Sequence, residues 1–127
     1  MSDTTTRGIR VQVQTQYLPE RSTPRDQQFL FAYHIRVSNE GEETAQLVSR
    51  EWIINDSDGH VECVKGPGVV GEQPVLGPGD AFEYTSFSEL KTAVGSMQGS
   101  YQMVTTSGER FDAVIAPFTL AVPHALN

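Results

Sequence analysis

Apolar and polar residues alternate with a period of two along most of the chain. The clearest runs are residues 9–17 and 29–37, in which every second position is apolar except Thr15. Such alternation is typical of a strand with one face in a core and the other in water. Leu30 and Ala32 make the start of the second run apolar on both faces. This pattern predicts a strand in the centre of a sheet.

Turn residues separate the remaining runs, which cover residues 45–55, 61–64, 82–86, 97–103 and 111–120. The sequence Asp-Ser-Asp-Gly at 56–59 predicts a tight hairpin, because its glycine can adopt the positive φ that the turn needs. The apolar phase shifts after Pro117, which predicts a β-bulge. Residues 88–94 fit either one helical turn or a loop.

About seven strands and no convincing helical stripe predict an all-β protein, built as a two-sheet sandwich. A chain of 127 residues has room for one core. We therefore expect a single domain spanning residues 1–127. Trp52 shares a face with Arg50, and we expect it to pack in the core rather than to form a sugar platform.

The net charge and the distribution of apolar residues argue against several classes of partner. The net charge of −7 repels polyanions, so a nucleic-acid partner is not expected. The N-terminus lacks the apolar segment of a secretory signal, and no apolar run approaches the roughly 18 residues of a membrane helix. The single cysteine, Cys63, cannot form an internal disulfide. We expect a soluble cytoplasmic protein that contacts no membrane.

Five stretches of the chain, residues 31–39, 47–52, 66–74, 76–79 and 97–101, together resemble the ApaG family of bacterial proteins. The likeness extends from about Ile9 to Pro123. It implies an immunoglobulin- or fibronectin type III-like sandwich. It also implies a link to cobalt resistance and magnesium efflux, without an established biochemical activity. Similar domains in F-box proteins and in a DNA-polymerase-interacting protein look like interaction modules.

The glycines Gly66, Gly68 and Gly71 have the spacing G-x-G-x-x-G. A dinucleotide site needs a helix directly after this motif, and the prolines and glycines of residues 74–79 allow none. A Walker A loop is also excluded, because no Gly-Lys-Ser/Thr follows. Three alternatives remain: an anion-binding nest of N–H groups beside Lys65, a connection that crosses between the sheets, and a loop that docks a partner.

A second candidate site lies at the predicted hairpin. His60 and Glu62 are two residues apart on a strand, and Asp56 and Asp58 lie in the adjacent turn. Together they form a weak candidate for a divalent metal ion, without the closed ligand set of a zinc site. A solvated acidic turn explains the same residues.

No catalytic constellation is evident. Cys63 shares a strand face with the apolar Val61 and is expected to be a small core residue rather than a nucleophile. We therefore expect a non-enzymatic binding or interaction module with an unknown protein partner and no cofactor. The alternative is a phosphate or pyrophosphate sensor, or a nucleotide-processing enzyme, that uses residues 66–71. Pairing of edge strands would also allow a homodimer.

Overall fold

The computed structural model describes residues 1–124, which form nine strands and two short 3₁₀ turns. The 3₁₀ turns, Pro19–Arg21 and Pro24–Asp26, each begin with a proline, whose fixed φ suits the first position. The strands are β1 (Ser2–Thr6), β2 (Ile9–Tyr17), β3 (Phe29–Asn39), β4 (Ala45–Asp56), β5 (Val61–Pro67), β6 (Val75–Leu76), β7 (Ala81–Leu90), β8 (Val94–Thr105) and β9 (Arg110–Ala121).

These strands form two antiparallel sheets. One sheet has the order β1-β2-β3-β7, and the other has the order β5-β4-β8-β9, with the short β6 also paired to β4. The prediction of an all-β, two-sheet sandwich is confirmed. Strand β3 lies between β2 and β7, and Ala32 on its second face is buried. Its predicted central position is therefore confirmed as well.

All seven predicted strands are present, and the structure adds two. Strand β1 escaped prediction because its residues are polar throughout, and β6 did so because it contains two residues. Residues 88–94 do not form a helical turn: β7 continues to Leu90 and β8 begins at Val94. The predicted hairpin at 56–59 is confirmed, with Gly59 at φ +92°.

Two bulges adjust which side chains reach the core. Strand β9 has one extra residue between Ile115 and Phe118 relative to β8, so the bulge predicted near Pro117 is confirmed. A second bulge in β4 lies between Leu47 and Ser49. It allows Leu47 and Trp52, which have opposite parity, both to be buried.

The core fills the space between the inner faces of the two sheets. It contains apolar side chains from seven strands and includes Trp52, which is only 3% exposed, as predicted. Trp52 makes edge-to-face contacts with Tyr33, Tyr101 and Phe118. Such aromatic pairs contribute about 0.5–1.5 kcal/mol each beyond the area they bury.

The two sides of the sandwich differ. On one side β1 approaches β9, and the Val114 N–H donates to the Thr6 Oγ1 at 3.2 Å. On the other side the edge strands β5 and β7 stand apart, and a cleft opens between them. This open side holds the candidate functional site.

Candidate functional site

The cleft between β5 and β7 has a volume of about 430 Å³. Its floor is formed by aromatic and aliphatic residues of β3, β4 and β8, including Tyr33 and Trp52. Its walls are formed by Glu62 and Val64 of β5 and by Ser86 and Ser88 of β7. The two serines are short, so they leave space open at the inward positions of β7.

Arg50 projects from β4 towards β5, where it faces Gly66 across the ladder. A Cβ on Gly66 would lie 3.0 Å from both terminal nitrogens of the Arg50 guanidinium, so the guanidinium packs directly on this glycine. The Arg50 Nη1 donates to the carbonyl oxygens of Pro67 and Gly68, each at 2.9 Å. Arg50 therefore clamps the start of the glycine loop.

Three tyrosine hydroxyls lie near the same guanidinium. Those of Tyr84 and Tyr101 hydrogen-bond each other inside the sandwich, and burial raises the pKa of both groups. Burial also raises the pKa of Tyr33, although a hydrogen bond with Ser86 and the charge of Arg50 act in the opposite direction. These hydroxyls consequently stay protonated and neutral around the arginine.

The glycine loop itself is a tight turn beyond the end of β5. Gly68 has φ +57°, and a Cβ there would overlap the carbonyl oxygen of Glu72. The N–H groups of Val69 and Glu72 donate to each other's carbonyls at 2.8 and 2.9 Å. The two residues between them, Val70 and Gly71, have φ of +42° and +81°. Positive φ at both central positions is the signature of a type I′ turn.

The turn uses its N–H groups differently from an anion nest. Gly68 N–H donates to the Val48 carbonyl, and Val69 N–H donates within the turn. Lys65 lies on the other face of β5 from Gly66, and its Nζ is 3.8 Å from the Glu51 Oε1. Anion binding by Lys65 and the glycines stays a prediction, and these contacts give it no support.

The glycine loop does not carry the chain between the sheets. Strands β5 and β6 both pair with β4, so residues 68–74 leave and rejoin the edge of a single sheet. The crossing to the other sheet comes later, between β6 and β7, where Gly77 N–H donates to the Asp80 carboxylate at 2.8 Å. The hypothesis of a crossing loop at residues 66–71 is therefore wrong.

The four residues of the predicted metal site are not gathered into a cluster. Among residues 1–124, no group of three or more His, Cys, Asp or Glu side chains is positioned to hold a metal ion. The Asp58 carboxylate instead accepts the backbone N–H of His60 at 3.1 Å. The buried Asp56 carboxylate accepts the backbone N–H of Lys91 at 3.4 Å, and Glu62 lines the cleft.

The prediction that Cys63 lies in the core is wrong, because its thiol is free and the residue is exposed. The register of β5 explains the error: Val64 pairs with the buried Trp52, so Cys63 pairs with Ile53 on the outer face. Val61, on the same face as Cys63, is likewise exposed. The sequence pattern placed the wrong face of this strand inward.

Comparison with known proteins adds the family. A family model of the ApaG domain matches residues 19–105. The chain belongs to the ApaG family. Protein ApaG of Anaeromyxobacter dehalogenans (strain 2CP-C) is 58% identical over 127 residues, with both chains fully covered. Protein ApaG of Azotobacter vinelandii is 56% identical over 119 residues, which cover 94% of each chain. The resemblance seen in the sequence is thus confirmed.

Solved structures agree with this assignment. The crystal structure of a Bordetella pertussis protein described as ApaA has a TM-score of 0.89 and 47% identity, covering 92% of this chain and 95% of that one. The C-terminal domain of wzt has a TM-score of 0.56 at 14% identity, covering 98% of this chain and 78% of that one. This second likeness shows the shared fold alone.

Two residues gained importance only from the structure. The sequence places Arg50 on the face of Trp52, and the hydrogen bonds that connect it to the glycine loop join residues distant in sequence. Val70 lies between glycines in the sequence, and its positive φ is set by the turn.

No helix in the described part of the chain is long and apolar enough to cross a membrane.

Proposed function

We propose that this ApaG-family protein is a non-enzymatic interaction module that docks a protein partner on the apex of its glycine loop. The observation that carries the proposal is Val70. It is 57% exposed and has φ +42°, a conformation that is an outlier for a β-branched residue. Backbone strain of this kind concentrates at sites of function.

Hydrogen bonds and a buried side chain hold the loop on both sides of Val70. Arg50 binds the carbonyls of Pro67 and Gly68 on one side of the loop. On the other side Gln73 Nε2 donates to the Val48 carbonyl at 2.8 Å, and the buried Val69 anchors the turn to the core. A loop ordered before binding loses less conformational entropy when a partner docks.

The chemistry of the loop surface favours a protein over an anion. Val70 is exposed at the apex, and Val75, in β6, is 60% exposed. The nearest lysine, Lys65, lies on the outer face and is paired with Glu51. An exposed apolar apex suits an apolar pocket on another protein.

Photo-crosslinking tests the proposal at the level of single positions. A photoreactive amino acid placed at Val70 should give a specific crosslinked product in cell extract, whereas the same group at Val114, exposed on β9, should not. Excess wild-type protein should compete for that product, and Val70→Asp should not. The same products from both positions, or equal competition by the variant, would contradict docking at the apex.

The resemblance to ApaG proteins suggests a cellular setting for the partner, namely divalent-cation homeostasis. Cobalt tolerance of a strain that lacks the protein therefore provides a second readout. Wild-type protein should restore tolerance, and Val70→Asp at equal abundance should not. Full restoration by Val70→Asp would show that cobalt tolerance does not depend on the loop apex.

A further inference from the structure

The cleft between β5 and β7 is lined with polar groups that no contact of the glycine loop requires. The inward positions of β7 carry Ser86 and Ser88, and the matching wall of β5 carries Val64 and Glu62. At about 430 Å³ the cleft falls within the range of small-molecule sites. It is separate from the apex of the loop at Val70.

Arg50 lines this cleft and has hydrogen-bond donors that no described residue uses. Both of its hydrogen bonds to described residues come from Nη1. None of the ion pairs formed by residues 1–124 includes Arg50. Its Nε and Nη2 groups therefore remain available on a side chain that is itself only partly exposed. A planar carboxylate matches this donor geometry with two parallel hydrogen bonds.

The charges around the cleft limit the ligand to a weakly charged anion. Glu62 and Glu89 line the same cleft as Arg50, so the site carries one positive and two negative formal charges. This net negative charge repels a dianionic phosphate more strongly than a single carboxylate, which can bind Arg50 directly while the neutral remainder of the ligand lies near the glutamates. The floor of Tyr33 and Trp52 offers apolar contact to the body of such a ligand.

We propose that this cleft binds the single carboxylate of a small organic acid or of a peptide C-terminus, with Arg50 as its anchor. Ser86 and Ser88 are placed to add hydroxyl contacts, and the open side gives the ligand a path of entry. The proposal rests on Arg50 and the cleft walls, and docking of a protein at Val70 is independent of it.

A titration of the full chain tests the proposal. The probes are hexanoate, N-acetyl-trialanine with a free carboxylate, the same peptide as its C-terminal amide, and inorganic phosphate. Trp52, the single tryptophan of the chain, lines the cleft and reports occupancy by fluorescence. Saturable binding of hexanoate alone assigns a small organic acid, and saturable binding of the free-acid peptide assigns a peptide C-terminus. Equal binding of the amide, stronger binding of phosphate, or no response to either carboxylate at millimolar concentration overturns the proposal.

Matched variants locate the bound carboxylate. Arg50→Gln should weaken binding by about 10- to 100-fold, the effect expected for loss of a charge-assisted hydrogen bond. Ser88→Leu should block the cleft while leaving the loop contacts of Arg50 in place. Arg25→Gln, which removes an exposed arginine in the second 3₁₀ turn, and Val70→Asp should both bind normally. Unchanged affinity in Ser88→Leu would refute the site even if Arg50→Gln failed to fold.

Discussion

Replacement of Val70 by asparagine is the sharpest test of strain in the glycine loop. Val70 occupies the first central position of the type I′ turn with φ +42°, and Gly71 follows with φ +81°. A β-branched residue in the left-handed region costs about 1–2 kcal/mol. Asn-Gly is the favoured pair for this turn, because asparagine tolerates positive φ. Val70→Asn should therefore relieve strain.

The expected change in the free energy of unfolding is the balance of two opposing effects. Full burial of a valine stabilises a protein by about 1.5–2 kcal/mol, and Val70 is 57% exposed. The substitution therefore loses less than about 1 kcal/mol of burial while it relieves about 1–2 kcal/mol of strain. The free energy of unfolding should rise by about 0.5–1 kcal/mol, which corresponds to roughly 2–5 °C in Tm for a chain of this size.

Urea denaturation of Val70→Asn and Val75→Asn, compared with the wild type, measures this gain. Val75 has a similar exposure of 60%, but it lies in β6 without a positive φ. Val75→Asn should therefore be neutral or slightly destabilising, since asparagine is disfavoured in strands. Equal losses of stability in both variants would refute the strain argument.

The same substitution should weaken partner docking while it stabilises the fold. A stabilising change that removes a function is the expected behaviour of a strained binding site. The Val70 crosslinking competition measures this second effect directly. If Val70→Asn gained stability and competed as well as the wild type, the strain would have no role in binding.

Three further predictions concern the clamp, the buried hydroxyls and the thiol. Gly66→Ala should lower stability by about 1–2 kcal/mol in urea denaturation, and less in an Arg50→Ala background, because the added methyl crowds that guanidinium. Tyr84→Phe should lower the free energy of unfolding by about 1–3 kcal/mol, because it leaves the Tyr101 hydroxyl unpaired. The double variant Tyr84→Phe/Tyr101→Phe should lose less stability than the two single variants added together. Burial raises the pKa of both hydroxyls in the folded protein. Their contribution to the free energy of unfolding is therefore fully present below about pH 10, and above it the free energy of unfolding should fall by up to about 2.7 kcal/mol per pH unit. Native Cys63 should react with a thiol reagent about as fast as in unfolded protein, since it is exposed; slow reaction would place it in the core.

The fold was largely predictable because strand periodicity is a local property. Residues 9–17 and 29–37 each keep one mainly apolar face, and the bulge near Pro117 appears as a shift in the phase of the alternation. Strand β1 could not be found in this way. Its serine, aspartate and threonines carry no apolar face, and its position depends on pairing with β2.

The orientation of β5 shows where local pattern fails. Val61 and Val64 are both apolar but have opposite parity, so the alternation admits either face. The pairing of Val64 with Trp52 decides the matter, because the buried indole fixes which side of the ladder faces the core. An edge strand has only one neighbour to impose this choice, and the position of Cys63 follows from it.

The candidate site was harder to predict than the fold, because its decisive contacts join residues distant in sequence. Gly66 is opposite Arg50 across the ladder, sixteen residues away in the chain. The cleft itself depends on β7, which approaches β5 from the other sheet. Neither relation has a signature in the spacing of residues along one strand.

In this protein the glycines of the G-x-G-x-x-G spacing accommodate a group of opposite charge to the one they accommodate in nucleotide-binding folds. There the glycines let backbone N–H groups approach a negative pyrophosphate. Here Gly66 makes room for a cation, and the carbonyls of Pro67 and Gly68 accept hydrogen bonds from Arg50. Gly71 then completes the turn that displays Val70. The loop is organised around a positive charge supplied by its own sheet, which gives the glycine spacing a structural reason that does not depend on a ligand.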